Sequence, residues 1–154
     1  MSLVRLSVLA PLMLVSGLSG ADVSVQGPVE FGVFEGTKAE LKSGERVIRR
    51  SNESIQPTHT VPAKLGTKFG IRYQLAGKTA EGQPLTLLYF TPGIRTPDGV
   101  RHDKLEVMQK LLPGAPQDVM AYEFTERHEV VPGEWRFMVF QGDRLLTQQV
   151  FTVQ

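Results

Sequence analysis

Residues 132–153, PGEWRFMVFQGDRLLTQQVFTV, decide the fold class of this chain. Trp135, Phe137 and Val139 occupy every second position, which is the period of a β-strand with one face turned toward a core. The connection that follows contains Gly142, and a second apolar-rich run continues from there. A glycine between two such runs is typical of a hairpin turn. The stretch therefore predicts a β-hairpin whose Trp135 side chain is buried in the core.

The same alternation recurs upstream, where short segments of alternating apolar residues are separated by turns rich in glycine and proline. The predicted strands lie at residues 23–33, 69–75, 85–91 and 120–124. Pro28 interrupts the first of them, so a bulge or an edge position is predicted there. About seven or eight strands in one domain predict an all-β, immunoglobulin-like sandwich of two sheets, with a closed barrel as the alternative.

Several other segments are harder to assign. Residues 105–112 fit either a helix or a strand, and their place in an otherwise β-rich chain favours a strand. Residues 85–91 have apolar side chains on both faces, which predicts a central strand covered on both sides. Residues 92–103 are dense in turn residues and are predicted to form the longest loop. A short strand is predicted at residues 46–50, and a loop at residues 51–56.

Residues 1–21 have the features of a secretory signal peptide. Arg5 is the only charged residue among them, and an apolar run follows it. Residues 19–21 are small, as a signal peptidase requires, so cleavage is predicted to leave Asp22 as the first residue. The apolar run is shorter than the roughly 20 residues that span a bilayer, and no stable membrane insertion is expected after cleavage. Residues 22–154 are predicted to form one domain, periplasmic or secreted.

The composition narrows the class of protein further. The chain contains no cysteine, which excludes disulfides, thiolate metal sites and a lipid-anchored cysteine. Exported proteins without disulfides are more typical of bacteria than of animals. The 17 lysines and arginines nearly balance the 16 acidic residues, and Arg5 leaves with the predicted signal peptide, so the domain is formally neutral. Neither nucleic acid nor an anionic membrane is therefore predicted as a partner.

Five motifs of this chain resemble those of a known bacterial family. They are TVPAKLGTKFG at residues 60–70, PGI at 92–94, TPDG at 96–99, YEF at 122–124 and VPGEW at 131–135. The family comprises small exported domains of unknown function, and the resemblance extends from Phe31 to Val153. Where the family often carries a Trp-Pro pair after Gly99, this chain has Leu105 and Glu106. The resemblance implies a β-sandwich and bacterial export, and it supplies no activity, cofactor or catalytic residue.

No serine or histidine pattern in the sequence indicates catalysis or metal binding. None of the serines after residue 21 lies in a Gly-x-Ser-x-Gly elbow, and no glycine-rich phosphate loop precedes a helix. The histidines are His59, His102 and His128. They lack the close spacing of metal ligands, and His59 and His128 are interpreted as surface or hydrogen-bonded residues.

Carboxylate pairs are the remaining option for acid–base chemistry. Four glutamates crowd near a predicted strand end, at Glu123, Glu126, Glu129 and Glu134. They flank turns or point outward, so a solvated charged rim is favoured over a glycosidase pair. No catalytic, cofactor-binding or metal-binding residue is predicted, no cofactor is expected, and the protein is not expected to be an enzyme.

Two surfaces are candidates for contact with a partner. Arg95, Arg101 and His102 lie in the predicted loop at residues 92–103, and loops on a rigid sandwich commonly carry binding residues. Met138 and Phe140 lie on the strand face opposite Trp135 and are predicted to form an exposed apolar spot. The favoured function is a non-enzymatic exported domain that contacts another, unknown envelope protein. The alternative is a carbohydrate or small-molecule binding module that uses loop-end aromatic residues.

Overall fold

The structure is a computed structural model, and it describes residues 22–35 and 53–154. Nine strands lie within these residues. They are β1 (Ser24–Glu35), β2 (Ser54–Gln56), β3 (Thr60–Val61), β4 (Lys68–Ala76), β5 (Leu85–Arg95), β6 (Arg101–Gln109), β7 (Asp118–Glu123), β8 (Gly133–Gln141) and β9 (Arg144–Val153). One turn of 3-10 helix, at Arg127–Glu129, precedes β8. The predicted signal peptide and the predicted strand at residues 46–50 lie outside the described residues.

The described strands form two sheets. One has four strands in the order β2-β1-β4-β7, and the other has five in the order β3-β9-β8-β5-β6. Neighbouring strands are antiparallel except β3 and β9, which are parallel. The predicted all-β sandwich of two sheets is confirmed, and the alternative of one closed barrel is wrong. Among the described residues, no helix is long and apolar enough to cross a membrane.

An aromatic core lies between the sheets. Trp135 and Phe137 of β8 are fully buried, together with Phe69 of β4 and Phe151 of β9. The Phe69 ring meets the Trp135 ring edge to face, with centroids 5.6 Å apart. The indole Nε1 of Trp135 donates to the backbone carbonyl of Val131 at 2.9 Å, which satisfies its one polar group. The prediction that Trp135 belongs to the core is confirmed.

The predicted loop at residues 92–103 is wrong, because most of it is strand. β5 continues to Arg95 and β6 begins at Arg101, so only the residues between them turn the chain. A register shift between Phe90 and Ile94 accommodates the proline and glycine that suggested a loop. Gly93 has φ +120°, and a Cβ there would lie 2.5 Å from Nε of Arg101.

Other segment predictions had mixed outcomes. The strand favoured within residues 105–112 is confirmed as far as Gln109, where β6 ends. A register shift near Pro28 in β1 confirms the bulge predicted there. The predicted loop at residues 51–56 is wrong where the structure describes it, because Ser54–Gln56 pairs with β1. β5 is an internal strand, but its outer face is not covered: Phe90 is 36% exposed.

Candidate functional site

The outer face of the five-stranded sheet carries an apolar surface. On β5, β6 and β8 the inward residues fill the core, so the residues between them point away from it. Met138 lies opposite Leu88, which places the two side chains side by side on that face. Thr86 lies between Phe140 on one neighbouring strand and Met108 on the other. We call Leu88, Phe90, Met108, Met138 and Phe140 the outer patch.

The outer patch is accessible. Met108 is 57% exposed, and Leu145, paired with Phe140 across the β8–β9 hairpin, adds a further exposed apolar side chain. Met138 and Phe140 themselves are half-buried by their neighbours in the sheet. The two residues predicted to form an exposed apolar spot thus lie on the outer face but are half-buried, and the more exposed members of the outer patch come from β5 and β6.

Two shallow grooves cross the same face. One, of about 350 Å³, is lined by Phe90, Thr91, Glu134, Arg136 and Met138. The other, of about 430 Å³, is lined by His59, Arg136, Gln148, Gln149, Val150 and Thr152. The Arg136 guanidinium borders both grooves and lies 3.5 Å from the Glu134 carboxylate. The apolar surface thus has a polar border, as in a protein–protein contact surface.

The structure brings the other three predicted contact residues to the end of the β5–β6 hairpin. Arg95 lies opposite Arg101, and His102 follows. The Arg101 guanidinium donates to Asp103 Oδ1 at 2.8 Å and to the Pro92 carbonyl at 3.1 Å. These side chains therefore extend from an ordered hairpin and not from an irregular loop.

This hairpin end lies beyond the Phe90 end of the outer patch. Arg95 lies seven residues beyond Leu88, the residue that pairs with Met138, so about 20 Å of strand separates Arg95 from that pair. His102 is nearer to the patch, because it lies two residues before Lys104, which is opposite Phe90. A hydrogen-bonded turn closes the hairpin: the Thr96 hydroxyl donates to Asp98, as does the Val100 amide. These bonds lower the pKa of the Asp98 carboxyl, the one from Thr96 most. Of the predicted contact residues, Arg95 and Arg101 are thus remote from Met138 and Phe140, whereas His102 lies near the Phe90 end of the outer patch.

The three histidines lie on different elements, and each has its own surroundings. The His59 ring stacks on Phe31 with centroids 4.4 Å apart, and its Nδ1 lies 3.0 Å from the Gln149 amide nitrogen. Nε2 of His102 lies 3.4 Å from the Thr96 hydroxyl. His128 lies 3.3 Å from Glu126. Among the described residues, no group of three or more His, Asp or Glu side chains is arranged to hold a metal ion.

Glu129 corrects the interpretation of the four glutamates as a solvated rim. Glu134 is exposed, but Glu129 is completely buried. Its Oε1 accepts hydrogen bonds from the Thr125 amide at 3.0 Å, the Thr125 hydroxyl at 2.9 Å and the Glu126 amide at 2.8 Å. Burial on its own raises the pKa of the Glu129 carboxyl, but hydrogen bonds from Tyr122, Thr125 and the backbone outweigh burial and hold the pKa below its ordinary value.

A second buried charge was not predicted from the sequence. The Lys78 ammonium lies 3.1 Å from the Asp118 carboxylate and donates to the Ala115 carbonyl at 2.6 Å. The side chains of Lys78 and Asp118 are only 6% and 3% exposed. Burial raises the pKa of the Tyr73 phenol, and the Asp118 charge raises it further. The pair connects the segment after β4 to the start of β7.

The aromatic residues suited to stacking on a sugar are inside the domain. Trp135 is the only tryptophan, and the three tyrosines are Tyr73, Tyr89 and Tyr122. All four side chains are buried. The aromatic ring that borders one groove is Phe90, and the imidazole of His59 borders the other.

A solved structure resembles this arrangement. It is described as the crystal structure of an immunoglobulin-like protein from Pseudomonas aeruginosa. The two chains are 62% identical, the match covers 88% of this chain and 99% of that chain, and the TM-score is 0.75. The predicted immunoglobulin-like fold is thereby confirmed. No curated protein matches the chain.

The sequence motifs lead to the same family. A family model described as "Domain of unknown function (DUF3859)" matches residues 22–153. This match spans every described strand from β1 to β9. The resemblance noted in the sequence to a bacterial family of unknown function is confirmed, and the chain belongs to the DUF3859 family.

Proposed function

We propose that this protein is an exported, non-enzymatic immunoglobulin-like domain that acts by contact with another protein at the bacterial envelope. The observation that carries the proposal is the outer patch. Its members lie on three neighbouring strands, and Met108 and Phe90 have 57% and 36% of their surface exposed. An apolar surface of this kind with a polar border is typical of a protein-binding face.

Export is supported by where the folded domain starts. The family match begins at Asp22, the residue that follows the predicted cleavage site. Val23 is already fully buried, and its amide donates to the Gln141 side chain at 3.0 Å. The Arg144 guanidinium donates to the Val23 carbonyl at 2.6 Å. The start of the domain at Val23 is therefore held by residues of β8 and β9.

Contact with a protein is favoured over the two alternatives by the placement of polar and aromatic residues. A sugar-binding module needs exposed rings for stacking, and the tryptophan and all three tyrosines are buried. An acid–base enzyme needs carboxylates that face a cleft. The Glu129 carboxylate instead faces the interior and is engaged by Thr125 and Glu126.

Site-specific photo-crosslinking in intact cells tests the proposal. A photoreactive amino acid replaces Met138 in the outer patch, and in a control protein it replaces Gln74, which is exposed on the four-stranded sheet. We expect a discrete crosslinked envelope protein from position 138 only, and its yield should fall when Phe90→Lys is added. The same products from both positions, or products that contain only this chain, would contradict the proposal.

A further inference from the structure

The edge strands of the two sheets differ in how much backbone they leave open. Among the described strands the edges are β2 and β7 in one sheet and β3 and β6 in the other. β2 has three residues and β3 has two, and five of the six residues of β7 are buried. β6 has nine residues, five of which are exposed.

β2 covers β1 only at Val33–Glu35, and β3 covers β9 only at Thr152 and Val153, so parts of β1 and β9 are open edges as well. β1 is interrupted by a register shift at Pro28, and only three of the ten residues of β9 are exposed. Among the described strands, β6 is therefore the open edge that is both regular and mostly accessible.

β6 lacks most of the features that protect an edge from pairing. From Lys104 to Gln109 it pairs with β5 residue by residue, without a bulge. It contains no proline. Every second residue of such a strand turns its N–H and C=O groups away from the neighbouring strand, and no described strand accepts those of β6. This edge can accept another strand.

Charged side chains are the one feature of β6 that protects its edge from pairing, and their signs follow a specific pattern. Lys104 and Glu106 have opposite signs, and both point to the outer face, where they lie opposite Phe90 and Leu88. In an antiparallel pair of β6 strands centred on Leu105, Lys104 lies opposite Glu106 of the partner subunit, twice by symmetry. A pair centred on Lys104 or on Glu106 places like charges opposite each other, which is destabilising. The charges therefore favour one register of self-pairing.

We propose that two copies of this domain associate through β6, antiparallel and centred on Leu105, and join their five-stranded sheets into one sheet of ten described strands. The two-fold axis is perpendicular to the joined sheet, so Leu105 meets Leu105 of the partner subunit, and both outer patches lie on the same face and stay open. The association requires no other protein and does not rest on the proposed function.

Charge exchange tests the register. The purified protein is followed by sedimentation velocity over a wide range of concentration at low ionic strength, where ion pairs are least screened. Wild type is expected to dimerise. Lys104→Glu alone, or Glu106→Lys alone, should weaken the dimer by about tenfold or more, because each creates two like-charge pairs. The double variant, and an equimolar mixture of the two single variants, should restore it.

A matched control and a trapping experiment separate this association from general charge effects. Lys64→Glu makes the same charge change at an exposed position outside β6 and should leave the dimer unchanged. Because the chain has no cysteine, Leu105→Cys should form a disulfide-linked dimer rapidly on mild oxidation. Met108→Cys is more exposed, but it lies off the proposed two-fold axis and should crosslink more slowly.

Three results would overturn the proposal. The first is wild type that stays monomeric at the highest concentration. The second is a dimer that withstands both single charge reversals. The third is faster crosslinking through Met108→Cys than through Leu105→Cys. None of these measurements involves an envelope partner. A result against the dimer would therefore leave the proposed function of the outer patch to be tested separately by photo-crosslinking.

Discussion

The Tyr122 hydroxyl donates a hydrogen bond to Oε2 of Glu129 over 2.5 Å, and both side chains are completely shielded from solvent. The bond connects β7 to the 3-10 turn that leads into β8. A buried carboxylate is costly unless its oxygens accept several hydrogen bonds. Here Thr125 and Glu126 donate hydrogen bonds to Oε1, the other carboxylate oxygen. The Glu129 carboxylate therefore stays charged inside the domain and fixes the path of the chain before β8.

Glu129→Gln is expected to destabilise the domain by on the order of 3 kcal/mol at neutral pH. The amide nitrogen of glutamine cannot accept the hydrogen bonds that one carboxylate oxygen now receives, and buried donors lose their partner. Urea unfolding measures the free energy. Tyr122→Phe removes one donor and keeps the carboxylate, so its effect should be smaller.

The effect of Glu129→Gln should depend on pH. Because the folded-state pKa of Glu129 lies below the ordinary value of 4.5, its contribution to stability is present above that value and is lost as the pH falls through the lower folded-state pKa. Wild type and variant should therefore differ most near neutral pH and converge in acid. A difference that stays constant from neutral to acidic pH would show that the charge contributes nothing.

The strands were predictable where every second residue is apolar and faces the core. Phe69, Ile71 and Tyr73 show this alternation, and the structure buries all three. The β5–β6 hairpin was missed because Pro92 and Gly93 signal a turn locally. In the structure they fall in a bulge of β5, and only pairing with β6 across the hairpin reveals that the strand continues.

The position of Glu129 shows why buried charge is hard to predict from sequence. A glutamate between turns indicates solvent exposure. One signal was available: Glu129 lies three residues after Glu126, the spacing of a capping box, in which the later side chain accepts from the earlier amide. The contribution of Tyr122 depends on the packing of β7 and follows no local pattern. The same holds for Lys78 and Asp118, which lie 40 residues apart.

Asp118→Asn is expected to destabilise the domain by about 3–5 kcal/mol, because it leaves the Lys78 ammonium buried without its counter-charge. Asp103→Asn is the matched control. Its carboxylate lies 2.8 Å from Arg101, but both side chains are mostly exposed, so the free energy of unfolding should stay close to that of wild type. Equal effects of the two variants would contradict the structural role of the buried pair.

Trp135→Ala should destabilise the domain by about 3–5 kcal/mol, because it opens a cavity among the core rings. As the only tryptophan, Trp135 should also give a blue-shifted emission that external quenchers reach poorly. Thermal unfolding and fluorescence quenching check the two expectations. Emission like that of free tryptophan, with an unchanged melting temperature in the variant, would place Trp135 at the surface and favour sugar stacking.

Export is expected to remove residues 1–21. The intact mass of protein recovered from the periplasm should correspond to a chain that starts at Asp22. Ala21→Trp places a large residue where signal peptidase requires a small one, and it should cause a longer precursor to accumulate. Recovery of a folded periplasmic species that retains Met1 would defeat the prediction, whereas a start one or two residues away would only move the site.

The end of the β5–β6 hairpin should be dispensable for the contact that the outer patch makes. Alanine at Arg95, Arg101 and His102 together should leave the melting temperature nearly unchanged, because Arg95 and Arg101 are exposed and surface charges contribute little to stability. The crosslink from Met138 should also persist, since its partner Leu88 lies about 20 Å from Arg95 along β5, and the residue opposite Leu88 lies about 13 Å from His102 along β6. A triple variant that melts normally and loses the crosslink would move the contact surface to the hairpin end.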